Sequence, residues 1–236
     1  MAATQHRSAW LFKRLLRDIS TPSESLRGAV RPAMICLALG LVLGLSPGPA
    51  PAAAQENGPS AVIDRLHETL LEVMMAAKEL GYGGRFERLV PVLEESYDFP
   101  FMTRIATATA WRDMTEDQQA ELIALFREMS IASYAARFNG YSGEEFETLG
   151  EAPGPRDAVV VESRLVRPED APVQLNYVMR QEDGAWRIVD VLLDAKFSEL
   201  ARQKAEFSAV LRQGGVADLK AVLQEKIADL EAEGSS

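Results

Sequence analysis

Residues 158–193 read AVVVESRLVRPEDAPVQLNYVMRQEDGAWRIVDVLL, and this stretch decides the fold. In 158–166 the odd positions Val159, Val161 and Leu165 are apolar, while Glu162 and Arg164 take even ones. In 173–181 the odd positions are Val173, Leu175, Tyr177 and Met179, opposite Gln174, Asn176 and Arg180. Successive side chains on a strand point to opposite faces. The alternation therefore predicts two strands of an antiparallel sheet with one apolar and one wet face. Asp183-Gly184 is the hairpin signal between the second strand and the third. The link Arg167-Pro168-Glu169-Asp170-Ala171-Pro172 is too proline-rich to be strand. The third strand, Trp186–Leu193, is apolar at both parities apart from Arg187 and Asp190, which predicts a central strand with a bulge near Asp190.

Before Phe146 the period is that of a helix. Ser60 is the expected N-cap, and Ile63, Leu66, Leu70, Val73, Met74, Ala77 and Leu80 follow at three- and four-residue spacing. Gly81, Gly83 and Gly84 end this helix, and a second runs through Phe86, Leu89, Val90, Leu93 and Tyr97. Asp98-Phe99-Pro100 restarts the chain, with proline where a first helical turn tolerates it. Phe101–Trp111 reads as helix, and Thr115-Glu116-Asp117-Gln118 fits a capping box. The helix it opens carries Leu122, Leu125, Phe126, Met129, Ala132 and Ala136 and ends near Asn139-Gly140. Beyond the strands, a polar helix from Ser198 stops at Gly214-Gly215, and an amphipathic one runs from Val216 to Ala232. Helices, then a meander of strands, then helices again make an α+β fold: a curved antiparallel sheet with helices packed on one face, enclosing a cone-shaped cavity.

The chain has 236 residues, 47% hydrophobic and 25% charged, which is a globular balance. Residues 1–54 hold six Lys and Arg against two acids, a net of +4, and 55–236 hold 19 against 33, a net of −14. So acidic a body excludes a nucleic-acid partner and offers no Lys/Arg cluster to anionic lipid headgroups. The basic start leads into one apolar run, Ala33 to Leu45, whose 13 residues fall short of the roughly 20 needed to span a bilayer. Ser46-Pro47-Gly48-Pro49 and Ala52-Ala53-Ala54 follow it. This predicts a signal peptide over 1–54, cut after Ala54, and hence export. A short linker at 55–59, one domain over 60–232 and a flexible tail at 233–236 complete the expected organisation. Cys36, the only cysteine, lies in the apolar run, so the exported chain has no thiol for disulfides, catalysis or metal.

Candidate catalytic groups are few, and none is assigned. His67 is the only histidine of 55–236 and reads as a helix-surface residue without partners for a base or ligand role. No HExxH, EF-hand loop or phosphate-binding glycine loop occurs, so neither metal nor cofactor is called for. Asp190 carries two readings: a buried proton acceptor acting on an apolar substrate, or a strand carboxylate that bonds backbone and closes a bulge.

Residues 97–147 and 173–223 carry a family resemblance. The first includes Phe101-x-x-x-Ile105-Ala106, Trp111, the Thr115-x-x-Gln118 cap, Phe126, Tyr134-Ala135-x-x-Phe138 and Tyr141-x-Gly143-Glu144. The second includes Trp186-x-Ile188-x-Asp190-Val191 and the closing Ser198, Phe207, Gly214 and Leu219. They resemble the MlaC, or toluene-tolerance auxiliary component, family. The resemblance implies a periplasmic carrier, not an enzyme, which holds lipid tails in an NTF2-like cavity and shuttles lipid between inner and outer membranes. It also implies an inner-membrane transporter of ABC or RND type as partner, and an outer-membrane lipoprotein. Lys196-Phe197-Ser198 and Gln203-Lys204 look more like the hopanoid-biosynthesis-associated branch (HpnM), which makes a hopanoid a rival to phospholipid as cargo. On either cargo the expected lipid-binding set is Phe101, Ile105, Phe126, Met129, Tyr134, Val161, Tyr177, Met179 and Trp186, facing one another between helices and sheet, with Tyr177 toward the mouth. Two rivals remain, an NTF2-like enzyme with Asp190 as base and an interaction module whose core is filled by its own side chains.

Overall fold

Pro59 opens the first helix, α1 (Pro59–Met75), at a position whose amide would have no intrahelical partner anyway. The computed structural model describes residues 58–235, so the expected leader and its cleavage point lie outside the described residues. Gly58, not Ser60, is the N-cap. Ser60 lies inside the first turn, where its amide and hydroxyl donate to Glu151 Oε1 at 3.2 and 2.6 Å. An acid from the sheet thus does what a capping serine was expected to do. After Ala76 the chain continues as α2 (Ala77–Ser96), broken at Gly81 by a φ of 61°; Gly83 and Gly84 are helical. Asp98 accepts from the Phe101 amide at 2.9 Å and starts α3 (Phe99–Thr107), which runs into a 3-10 turn, Ala108–Asp113. Both bonds of the Thr115/Gln118 capping box are present at the head of α4 (Glu116–Arg137).

The strands β1 (Glu145–Pro153), β2 (Val159–Val166), β3 (Val173–Glu182), β4 (Ala185–Leu193) and β5 (Phe197–Ser198) pair in sequence order, all antiparallel. The last helix, α5 (Glu199–Gly234), is broken at Gly215, with φ 70°. The fold is the curved α+β sheet with flanking helices that the alternation implied.

The bulge falls where β4 required it. Val178 pairs with Asp190 but Met179 with Ile188, so Val189 is the extra residue. One added residue flips the parity of everything after it. Trp186 and Ile188 therefore face the helices before the bulge and Val191 after it, while Val189 and Leu192 turn to the opposite side. That is why the strand is apolar at both parities. The opposite side is not uniformly wet as expected: Asn176 and Val178 are both buried there. Asn176 Oδ1 accepts from the Ser163 amide, interrupting the backbone ladder between β2 and β3.

Arg85 ties the helix ends together. Its guanidinium donates to the carbonyls of Ala135 at 2.9 Å, Ala77 at 3.0 Å and Gly234 at 2.7 Å. Ala135 and Gly234 lie in the last turns of α4 and α5, whose final carbonyls lack intrahelical donors and carry the negative end of the helix dipole. The tail expected from 233 is accordingly helical to Gly234, which packs so closely that a Cβ there would meet the Tyr82 ring at 2.5 Å.

Candidate functional site

The apolar interior lies between the helices and one face of the sheet. Val161 stands opposite Tyr177, Tyr177 opposite Val191, and Met179 between Val159 and Ile188, so these side chains share the helix-facing side. From the helices come Leu66 and Leu70 of α1, Met102 of α3, Phe126 and Met129 of α4 and Phe207 of α5. The Phe126 ring meets Phe99 and Phe207 edge-on, with centroids 6.4 and 6.0 Å away.

Of the nine residues expected to line this space, the structure brings eight together. Phe126, Met129, Val161, Tyr177 and Met179 are buried there, and Ile105, Tyr134 and Trp186 pack at its margin. Phe101 does not join them. It packs with Ala158, Val178 and Val189 on the opposite face, under the guanidiniums of Arg180 and Arg104, 4.7 and 5.4 Å from its ring centroid. The reason is the course of α3, whose start is pinned to β4 by the Asp98 amide donating to the Ile188 carbonyl at 3.0 Å. At about 100° per residue, Phe99 and Phe101 point to opposite sides of that helix.

A polar cluster sits within this interior. His67 is buried, at 4% exposure, and not on the helix surface as its neighbours in sequence suggested. Its ring stacks on Phe146 of β1 at 4.2 Å, and its Nε2 is 3.1 Å from the Tyr177 hydroxyl. The missed signal is the spacing Ile63, His67, Leu70, Met74, a single stripe on the apolar side of α1. Burial lowers the His67 pKa to about 4, so the imidazole is neutral at neutral pH. Tyr177 is 1% exposed and lies in the core rather than at a mouth. Nearby, the hydroxyls of Tyr97 and Tyr134 share a short hydrogen bond. Burial pushes the Tyr97 and Tyr177 hydroxyls well above the usual phenol range, with Tyr134 adding to both, so all stay protonated. Tyr134 stacks on Phe138 at 5.5 Å and Phe138 meets Phe146 at 6.2 Å, so an aromatic path links the two pairs.

Asp190 has its carboxylate engaged on both oxygens. Oδ1 accepts from the amides of Val191 at 2.8 Å and Leu200 at 3.0 Å, and Oδ2 accepts from the Ser198 hydroxyl. It closes the bulge and anchors the first turn of α5, as the strand-carboxylate reading had it. Burial raises its pKa, opposed by these three hydrogen bonds. Among the described residues, no group of three or more His, Cys, Asp or Glu is placed to hold a metal ion.

The family model described as MlaC protein matches residues 64–225, from α1 into the second half of α5. The chain belongs to the MlaC family. The match takes in the whole sheet and every member of the polar cluster. The phospholipid-binding protein from Ralstonia solanacearum, solved in complex with a phospholipid, has a similar fold. The two are 23% identical with a TM-score of 0.61, over 72% of this chain and 97% of that one. No curated protein matches this member of the MlaC family.

Proposed function

We propose that the chain is a periplasmic lipid carrier with no catalytic step, exported by its N-terminal leader. It takes up a phospholipid or hopanoid-type lipid and moves it between inner and outer membranes. An inner-membrane transporter of ABC or RND type and an outer-membrane lipoprotein are its protein partners. The observation that carries this reading is the interior between helices and sheet: Met102, Phe126, Met129, Met179 and Phe207, flexible thioethers and flat rings drawn from four separate elements. Such side chains repack around a tail without leaving polar atoms unpaired. MlaC membership and the fold shared with a phospholipid-bound protein support the same reading. The driving force is desolvation, about 0.8 kcal/mol for each methylene removed from water. The rival reading, with Asp190 as a base, has less support because both its oxygens already accept from Val191, Leu200 and Ser198.

Extraction and mass spectrometry of protein purified without detergent from its own host tests the proposal and identifies the cargo. The expected result is lipid in near-stoichiometric amount. Lipid-free protein after gentle handling, together with no uptake from vesicles, overturns it.

A further inference from the structure

The polar cluster of the interior has more donors than its hydrogen bonds use. Tyr97, Tyr134 and Tyr177 each carry one O–H, and neutral His67 carries one ring N–H, which makes four donors. Two hydrogen bonds, Tyr97 with Tyr134 and Tyr177 with His67, use two of them. Whichever way each pair is oriented, one donor of each pair is left over after these two bonds. A buried donor without an acceptor is unfavourable. What corrects the imbalance is an oxygen that accepts without bringing a donor of its own, and a carbonyl oxygen does that.

The location narrows the choice. Tyr97 is buried in the apolar core, its ring stacked on Phe99 at 5.5 Å, while Tyr134 is half-buried at the margin. Tyr134 also feels Arg137 and Glu199, which belong to a charged group continued by Arg202, Glu206 and Lys226. The hydroxyl pair therefore lies between an apolar interior and a charged rim. In a glycerolipid the acyl ester occupies that same border, between tail and headgroup. Resting on the carrier reading above, we propose that the Tyr97–Tyr134 pair donates to an ester carbonyl of the bound lipid. The site then selects O-acyl lipids over ether-linked or purely polycyclic ones.

The test compares dioleoylphosphatidylglycerol with its dioleyl diether analogue, which has the same headgroup and chain length but no carbonyl. Both are titrated against delipidated full-length protein, by competition with a fluorescent-tailed lipid. The diester is expected to bind about three- to ten-fold more tightly, the range of one net hydrogen bond. A Tyr97→Phe/Tyr134→Phe double variant, checked for a native melt, is expected to bring that ratio close to one, since a single replacement leaves the other hydroxyl free to donate. Equal binding of the two lipids by the unaltered protein overturns the proposal, and so does a ratio that survives in the double variant. If neither lipid binds at all, the proposal also falls and the phospholipid cargo of the carrier reading fails with it, a result separate from failed discrimination.

Discussion

Lowering the pH from 7 to 5 is expected to remove about 2 kcal/mol of stability through His67 alone. The imidazole is buried and neutral, with its pKa moved by desolvation from 6.5 to about 4. Between those values the unfolded chain binds a proton that the folded chain excludes. Stability therefore falls as the pH drops through 6.5 toward 4 and levels off below. The whole span corresponds to about 3 kcal/mol, of which roughly 2 is lost by pH 5. Urea unfolding of the unaltered protein and of His67→Phe, at pH 7 and pH 5, isolates the effect. Phenylalanine keeps the stack on Phe146 and cannot titrate, but it leaves the Tyr177 hydroxyl without its partner. That loss lowers stability by about 1–3 kcal/mol at both pH values, a constant offset. Asp190, whose raised pKa acts in the opposite sense, is present in both proteins and cancels. The stability advantage of the unaltered protein is thus expected to shrink by about 2 kcal/mol at pH 5. An advantage that changes by less than about 0.5 kcal/mol would refute a buried, neutral His67.

Tyr177→Glu places a carboxylate at a fully buried position and breaks the bond to His67, so cooperative melting by circular dichroism is expected to be lost. A native melt of that variant would mean that water reaches the position. Gly234→Ala brings a methyl to 2.5 Å from the Tyr82 ring and 3.0 Å from the Ala136 backbone, and is expected to lower stability by about 1–3 kcal/mol in urea. Asp190→Ala leaves the Leu200 amide and Ser198 hydroxyl unpaired and is expected to cost about 2–3 kcal/mol in the same measurement. Thr115→Ala removes one half of the capping box and is expected to cost only about 1 kcal/mol; a larger loss would show that Thr115 does more than cap α4.

What the sequence by itself determined was local and periodic. The capping box at Thr115, the glycine breaks at Gly81 and Gly215, the alternation of β2 and β3 and the bulge beside Asp190 each follow from a few adjacent residues and the geometry of one element. β1 escaped because Glu145-Phe146-Glu147-Thr148-Leu149-Gly150-Glu151 is polar, and Leu149, the extra residue of its own bulge, faces solvent and spoils the alternation. The tertiary structure alone decided how faces are shared. Phe101 went to the opposite side of the sheet because β4 pins the start of α3, and Asn176 is buried on that side, where its Oδ1 accepts from the Ser163 amide. Only the docking of α1 on β1 and β3 turned His67 into a buried partner of Tyr177, 110 positions away. A pattern along the chain records which side of an element avoids water. Which partner meets that side depends on contacts between distant segments, and nothing in either segment alone encodes them.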